Sequence, residues 1–533
     1  MRKTSATGSQ AIFHQRRSGV LLPITALPGS SQIKLEGNSE RNGETSGETS
    51  GENNEEVKNE RGKESDKHPA SYGFFDSACR FIDWIAGAGF SIWQLLPLGP
   101  THSDNSPYLC LSSLAGERRY IGLHWLQQNG LLKSNIELSS IEHRAALNAA
   151  HNYFKKIPPD NHRYREYQQF CTESREWLDD FALFMALRQQ HNQSPWNKWP
   201  TALRDRNSEA IKQAKQQLET EISQLKFIQF LFFKQWASIR DYASQQGVLL
   251  FGDMPLFVAH DSADVWANRD YFKLTKEGQP QVVAGVPPDY FSAAGQYWGN
   301  PHYHWKNLQR DNFSWWIQRL KVHLKMFDLL RIDHFRGLYS AWEIPANSNT
   351  AAEGQWQEAP AEQLLNAMHT ELPELPLVAE DLGLMEPEIT ALLDQFKIPG
   401  MAVLQFAFDG NADNPYLPEN LKQNSVLYSG THDNDTSLGW FLGLSEQQQR
   451  QVTDYLHCGP KDLPRALLEK ALASVAQLVI IPLQDLLGLG TGHRTNTPGI
   501  VGNNWLWRFQ WQQLEPGIAE QFMRLNRDSG RCN

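Results

Sequence analysis

The stretch Phe327–Gly337, FDLLRIDHFRG, sets an unbroken apolar run directly before four polar residues, Arg331, Asp333, His334 and Arg336. Side chains alternate along a strand, so Leu329, Arg331 and Asp333 share one face and Leu330 and Ile332 the other. A run that is apolar on both faces suits a strand of a parallel sheet covered by helices. An Arg and an Asp at the end of its inward row are costly to bury unless they pair. Two readings follow: a structural ion pair, or an Arg331 whose charge keeps Asp333 a carboxylate fit for nucleophilic attack.

Seven similar runs lie elsewhere: SGVLLPITALPG from Ser18, FSIWQLLPLGP from Phe90, GVLLFGDMPLFV from Gly247, LPLVAEDLG from Leu375, GMAVLQFAFD from Gly400, SVLYSGTHDND from Ser425 and AQLVIIPLQDLLGLG from Ala476. Stretches that read as helical separate them. Eight such units predict an α/β fold, a (β/α)8 TIM barrel, in which functional residues gather at the C-terminal ends of the strands. Several runs end in carboxylates: Asp253, Asp333, Glu380 with Asp381, Asp433 with Asp435, and Asp485.

The 533 residues are long for one domain, yet a barrel with insertions absorbs them as a single catalytic unit, 1–533. Residues 30–67 are nearly free of apolar side chains and include the repeat GETSGETS, which predicts a flexible surface insert. Residues 117–246 predict a mainly helical insertion, within which Phe227, Leu231, Trp236 and Ile239 mark a core face. A net charge of −10 argues against nucleic acid as a partner. No apolar stretch reaches the roughly 18 residues of a membrane span, and no signal peptide is read at the N-terminus. The five cysteines are odd in number, scattered and without a CxxC pair, which points to a reducing, cytoplasmic setting.

Glu380, flanked by apolar residues at a strand end, is placed for the raised pKa of a general acid. The alternative is that it caps the next helix, but Asp381 is the better cap. In SGTHDND, His432 and Asp433 lack an HxxxH or HxH partner, and Gly439 falls at position seven of a calcium loop where six is needed, so no metal is expected. GLGTGHRTNTPG matches neither phosphate-binding pattern, and no cofactor is expected. The segment VAGVPPDYFSAAGQYWGNPHYHW reads either as a packed loop or as a lid offering aromatic surfaces. Three carboxylates converging from different strands suit glycosidic chemistry, with one attacking, one moving a proton and one gripping hydroxyls.

Taken in order, WQLLPLGPT, NSPY, GDMPLFVAHDSADVW, GVPPDYFS, WGNP, RIDHFRG, VAEDLG, THDND and NTPG resemble the 4-α-glucanotransferases, or amylomaltases, of glycoside hydrolase family 77. The resemblance covers nearly the whole chain. It implies a barrel without a C-terminal β-sandwich and a retaining double displacement on α-1,4-glucans, with malto-oligosaccharides as partners. It further implies that Asp333 is the nucleophile, Glu380 the acid and base, and Asp433 the third carboxylate. Arg331 would orient Asp333, His334 and His432 would bind sugar hydroxyls, Tyr108 would lie under the sugar ring, and Asp253 would support them. Residues 285–292 with Trp298 would cover the cleft. The insert after LPGS and the sequence LSSLAGERRYIGL depart from the family pattern. A monomer is expected. The rival expectations are an α-amylase-type hydrolase and, from another class, a glucan-binding protein with a dead site.

Overall fold

The computed structural model describes residues 12–29, 73–138, 141–288, 294–383, 386–500 and 502–532. The insert expected at 30–67 lies outside the described residues. Twelve strands occur among those described: β1 (Arg17–Leu21), β2 (Ile92–Gln94), β3 (Leu249–Met254), β4 (Val282–Val286), β5 (Gln296–Pro301), β6 (Leu329–Ile332), β7 (Ser340–Pro345), β8 (Gln355–Glu358), β9 (Leu377–Ala379), β10 (Gly400–Val403), β11 (Ser425–Tyr428) and β12 (Leu478–Pro482).

Eight of them form one sheet in the order β10-β11-β12-β1-β2-β3-β6-β9. All seven ladders between neighbours in that order are parallel. The Ala379 N–H donates to the Pro399 carbonyl just before β10, at 2.9 Å, which brings the two ends of the sheet together. These eight strands are the eight apolar runs, and the fold is the (β/α)8 barrel with no β-sandwich among the described residues after β12.

Alternation sorts each strand into two cores. Ile92, Phe251, Leu329, Val378, Val403, Val426 and Ile480 pack together inside the barrel. Their neighbours Trp93, Leu250, Leu330, Leu377, Leu427 and Val479 face the helices. Burying such side chains stabilises by about 1.5–3 kcal/mol each, and it fixes the register, because a one-residue slip would exchange the two sets. Gly19 sits where the interior narrows. A Cβ there would stand 2.6 Å from the Ile92 Cβ and 2.9 Å from the Ile480 Cδ1.

Between β2 and β3 the chain is helical, ending in a 27-residue helix, Glu219–Gln245. Phe227, Leu231, Trp236 and Ile239 are buried on it. Two buried glutamines of this helix tie it to the barrel loops. Gln229 accepts from the Gly116 N–H and donates to its carbonyl, and Gln235 does the same with Gly122.

The stretch 283–305, expected as a packed loop or a lid, contains β5 and all but the first residue of β4. With β7 and β8 they form an antiparallel sheet in the order β5-β4-β7-β8. Its Gly, Pro and polar residues hide the alternation that would have revealed it. Residues 289–292, part of the expected cleft cover, lie outside the described residues.

Candidate active site

The inward rows that are apolar at the barrel centre become polar at the C-terminal ends of the strands. Asp253 on β3 is fully buried. Arg331 on β6 donates from Nη1 to both its oxygens, at 2.9 and 2.8 Å. The same guanidinium reaches forward from Nη2 to Asp333 Oδ1 at 2.9 Å. Asp333 keeps about a third of its side chain open to the cleft, at 30%, while Arg331 is shielded, at 6%. Burial disfavours charge on Arg331, but Asp253 and Asp333 overturn that and raise its pKa well above the ordinary value.

Glu380 follows β9, and its N–H continues the ladder to the Ile332 carbonyl at 3.0 Å. Its Oε2 accepts the His334 N–H at 2.8 Å and its Oε1 the Leu382 N–H at 3.1 Å. The carboxyl is therefore held against the peptide that follows Asp333. Burial, the largest influence, raises it to about 7; Asp333 adds to the rise, while Arg331 and the two N–H groups oppose it. Glu380 does not cap a helix, and neither does Asp381. The next helix is Pro387–Phe396, with Glu386 at its N-cap. Asp381 instead accepts the Met401 N–H of β10 at 2.6 Å.

His334 adopts a left-handed conformation, φ 52°, which aims its N–H at Glu380. Its ring stands perpendicular to Trp298, with centroids 4.9 Å apart. Its buried Nε2 has no hydrogen-bond partner in the protein. Burial lowers its pKa to about 4, so the ring is neutral at pH 7. Such a strained residue with an unmatched polar atom is characteristic of a ligand site.

The loop after β11 brings the third carboxylate. His432 Nε2 lies 3.3 Å from Asp433 Oδ2. Asn496 Nδ2 donates to Asp433 Oδ1 at 2.6 Å, and Arg494 donates to the Asp433 carbonyl at 2.8 Å. The depth of the site opposes charge on both groups, yet His432 and Asn496 hold Asp433 down at about 2, and Asp433 raises His432. Tyr108 closes the circuit. Its hydroxyl donates to Asp253 Oδ2 at 2.7 Å, and its ring stacks on His432 with centroids 5.1 Å apart.

All nine residues singled out in the sequence thus join one network: Glu380 and Trp298 to His334, then Asp333, Arg331, Asp253, Tyr108, His432 and Asp433. Asn496, Arg494 and Trp505 were not singled out. Trp505 lies 6.0 Å from both the Tyr108 and His432 rings and takes φ 66°, a conformation no sequence pattern announces for an aromatic residue. Asn496 could have been suspected from its place in a Pro-Gly turn after the last strand. Among the described residues, no group of three or more His, Cys, Asp or Glu could hold a metal ion.

A family model described as 4-alpha-glucanotransferase, glycoside hydrolase family 77, matches residues 66–514. The chain belongs to this family. A 4-alpha-glucanotransferase of Synechocystis sp. is 43% identical over 473 residues, 86% of this chain and 94% of its own. One from Thermus thermophilus is 43% identical over 454 residues, 82% of this chain and 91% of its own. Among solved structures, an amylomaltase from Streptococcus agalactiae in complex with acarbose superposes with a TM-score of 0.86 at 31% identity, covering 97% of this chain and 100% of that one. The chain is accordingly an enzyme, a 4-α-glucanotransferase of the hexosyltransferase type.

Proposed function

We propose that the chain transfers segments of α-1,4-glucan to glucose or another glucan end, with Asp333, Glu380 and Asp433 as its catalytic carboxylates. In the first step an Asp333 oxygen attacks the anomeric carbon, the glycosidic bond breaks, and the Glu380 proton passes to the departing oxygen. In the second, the Glu380 carboxylate takes a proton from the acceptor hydroxyl as that oxygen displaces Asp333. Arg331 orients the nucleophile, and Asp253 fixes Arg331. Asp433, with His432 and His334, binds hydroxyls of the sugar at the cleavage point, above the Tyr108 ring, and Trp298, set against His334, covers the cleft.

The observation that carries this reading is Glu380, held by two backbone N–H groups beside Asp333 and raised to about 7. A proton donor of that pKa next to an Arg-paired carboxylate is what double displacement needs. The amylomaltase that binds acarbose supports a saccharide in the cleft. The five unpaired cysteines support a cytoplasmic setting. Among the described residues no helix is long and apolar enough to cross a membrane.

Incubation with maltotriose tests the reading. It should yield glucose and a ladder of longer oligosaccharides, and Asp333→Ala should lower the rate by at least about 10³-fold, an effect typical of lost nucleophiles. A net gain of reducing ends without a ladder would identify a hydrolase, and undiminished turnover in the variant would refute the assignment of Asp333.

A further inference from the structure

We propose that Met401 is a positioning residue for the nucleophile: its thioether sulfur accepts the Nε–H of Arg331 and, together with Asp253, fixes the guanidinium that orients Asp333. The inference rests on the functional reading above. Three edges of the Arg331 fork are engaged. Nη1 donates to both oxygens of Asp253, Nη2 meets Asp333, and Nε donates to Met401 Sδ at 3.3 Å.

A guanidinium is planar and rigid, so two fixed edges dictate where the third one points. Held by Asp253 at Nη1 alone, the fork would be free to swing and carry Nη2 away from Asp333. The contact at Nε removes that freedom. Sulfur suits the place chemically. It is neutral and a weak acceptor, so it satisfies a buried N–H without drawing the positive charge away from Asp253 and Asp333. A Leu or Val at this position would fill space and leave Nε without a partner in the barrel interior.

The sulfur is delivered by the closure of the barrel. Arg331 on β6 and Met401 on β10 stand on either side of β9, and interior layers of such barrels are built from alternate strands. Met401 is 5% exposed and belongs to the interior cluster with Leu329, Val378 and Val403. Its backbone is pinned from the turn that carries the proposed proton donor, since Asp381 Oδ1 accepts the Met401 N–H at 2.6 Å. Gly400 makes room for that carboxylate: a Cβ there would lie 2.1 Å from Asp381 Oδ2. Two consecutive residues thus serve both halves of the site, Glu380 by holding the proton and Asp381 by seating the acceptor that steadies Arg331.

Substitutions that separate the sulfur from its volume test this. Met401→Leu keeps the apolar bulk and removes the acceptor, whereas Met401→Gln returns an acceptor oxygen at similar reach. Met401→Leu should lower kcat for maltotriose transfer about tenfold, with KM within about twofold of the parent and cooperative melting retained. Met401→Gln should recover at least about a third of the parent kcat. Full kcat in Met401→Leu would overturn the proposal, and so would equal losses in the two variants, which would assign Met401 to packing alone. Should Met401→Gln not melt cooperatively, a double-mutant cycle with Asp253→Asn carries the test. Both changes act on one guanidinium, so Met401→Leu should cost less than about threefold in the Asp253→Asn background. The same loss in both backgrounds would show the two residues to be independent and overturn the proposal. A parent chain that builds no ladder from maltotriose would sink the functional reading instead.

Discussion

Glu380 carries the site's most informative electrostatics. Its carboxyl titrates at about 7 in the folded chain against an ordinary 4.5. Between these values the native chain holds a proton that the unfolded chain has lost, so the group's contribution to stability falls as pH rises through that window and stays low above 7. Glu380→Gln removes the charge. The variant should be more stable than the parent at pH 8 by ~1–2 kcal/mol, with the difference fading toward pH 4. In the parent, kcat/KM for maltotriose should decline above pH 7 as the proton donor is lost. A flat profile from pH 6 to 9, or a Glu380→Gln chain less stable at pH 8 than at pH 4 relative to the parent, would contradict this role. Alternation alone made the pair of Arg331 and Asp333 legible in the sequence. The other half of the arrangement, Arg331 bound to Asp253, was not, because it depends on β3 and β6 being neighbours across more than seventy residues of chain.

At the scale of elements, strand-end carboxylates that look alike in sequence divide into two jobs. Asp333, Glu380 and Asp433 face the cleft, whereas Asp485 is a brace. It is 3% exposed, and it accepts from Ser429 Oγ at 2.6 Å, the Ser437 N–H at 2.7 Å and Ser437 Oγ at 2.6 Å. Those serines bracket the loop that carries His432 and Asp433. Burial raises the Asp485 pKa, and these donors counter it. Asp485→Ala leaves three polar groups unmatched and should cost about 3 kcal/mol, with kcat for maltotriose falling about tenfold as the loop loosens. Asp485→Asn, which keeps an acceptor, should recover part of both. Thermal unfolding and kinetics on the two variants decide it, and full activity in Asp485→Ala would show that the loop does not need the brace. The eight barrel strands were legible because continuous apolar runs record burial on both faces. The antiparallel sheet was not, because β4 and β5 mix Gly, Pro and exposed rings, and β8 is mostly polar. What stabilises β8 is pairing with β7, which no local pattern records.

Across the whole molecule, the barrel is closed at its N-terminal end by side chains remote from the cleft. Arg531, 1% exposed, donates to the carbonyls of Leu472, Ser474, Ala476, Gln477 and Arg17. Those carbonyls precede β12 or belong to β1, the first and last strands of the barrel in sequence, which lie side by side. Arg16 reinforces the seam with bonds to Ser529, Leu472 and Ser474, and Asn526 accepts from Ser18 while donating to the Ala88 carbonyl. One guanidinium thus ties the start of the β1–β12 ladder to the carbonyls of the turn that precedes it. Arg531→Met keeps the volume and removes every donor, and it should lower stability by about 3–4 kcal/mol, since hydrogen bonds to a charged group contribute more than neutral ones. Arg531→Lys should recover only a fraction, because an ammonium cannot reach carbonyls spread around a planar fork. The loss should be local. Amide exchange in β1 and β12 should accelerate while β6 and β9 stay protected, and maltotriose transfer at 25 °C should persist, because the proposed catalytic carboxylates lie at the opposite ends of the strands. Uniform acceleration across all eight strands would mean that the barrel opens as one unit rather than at its seam.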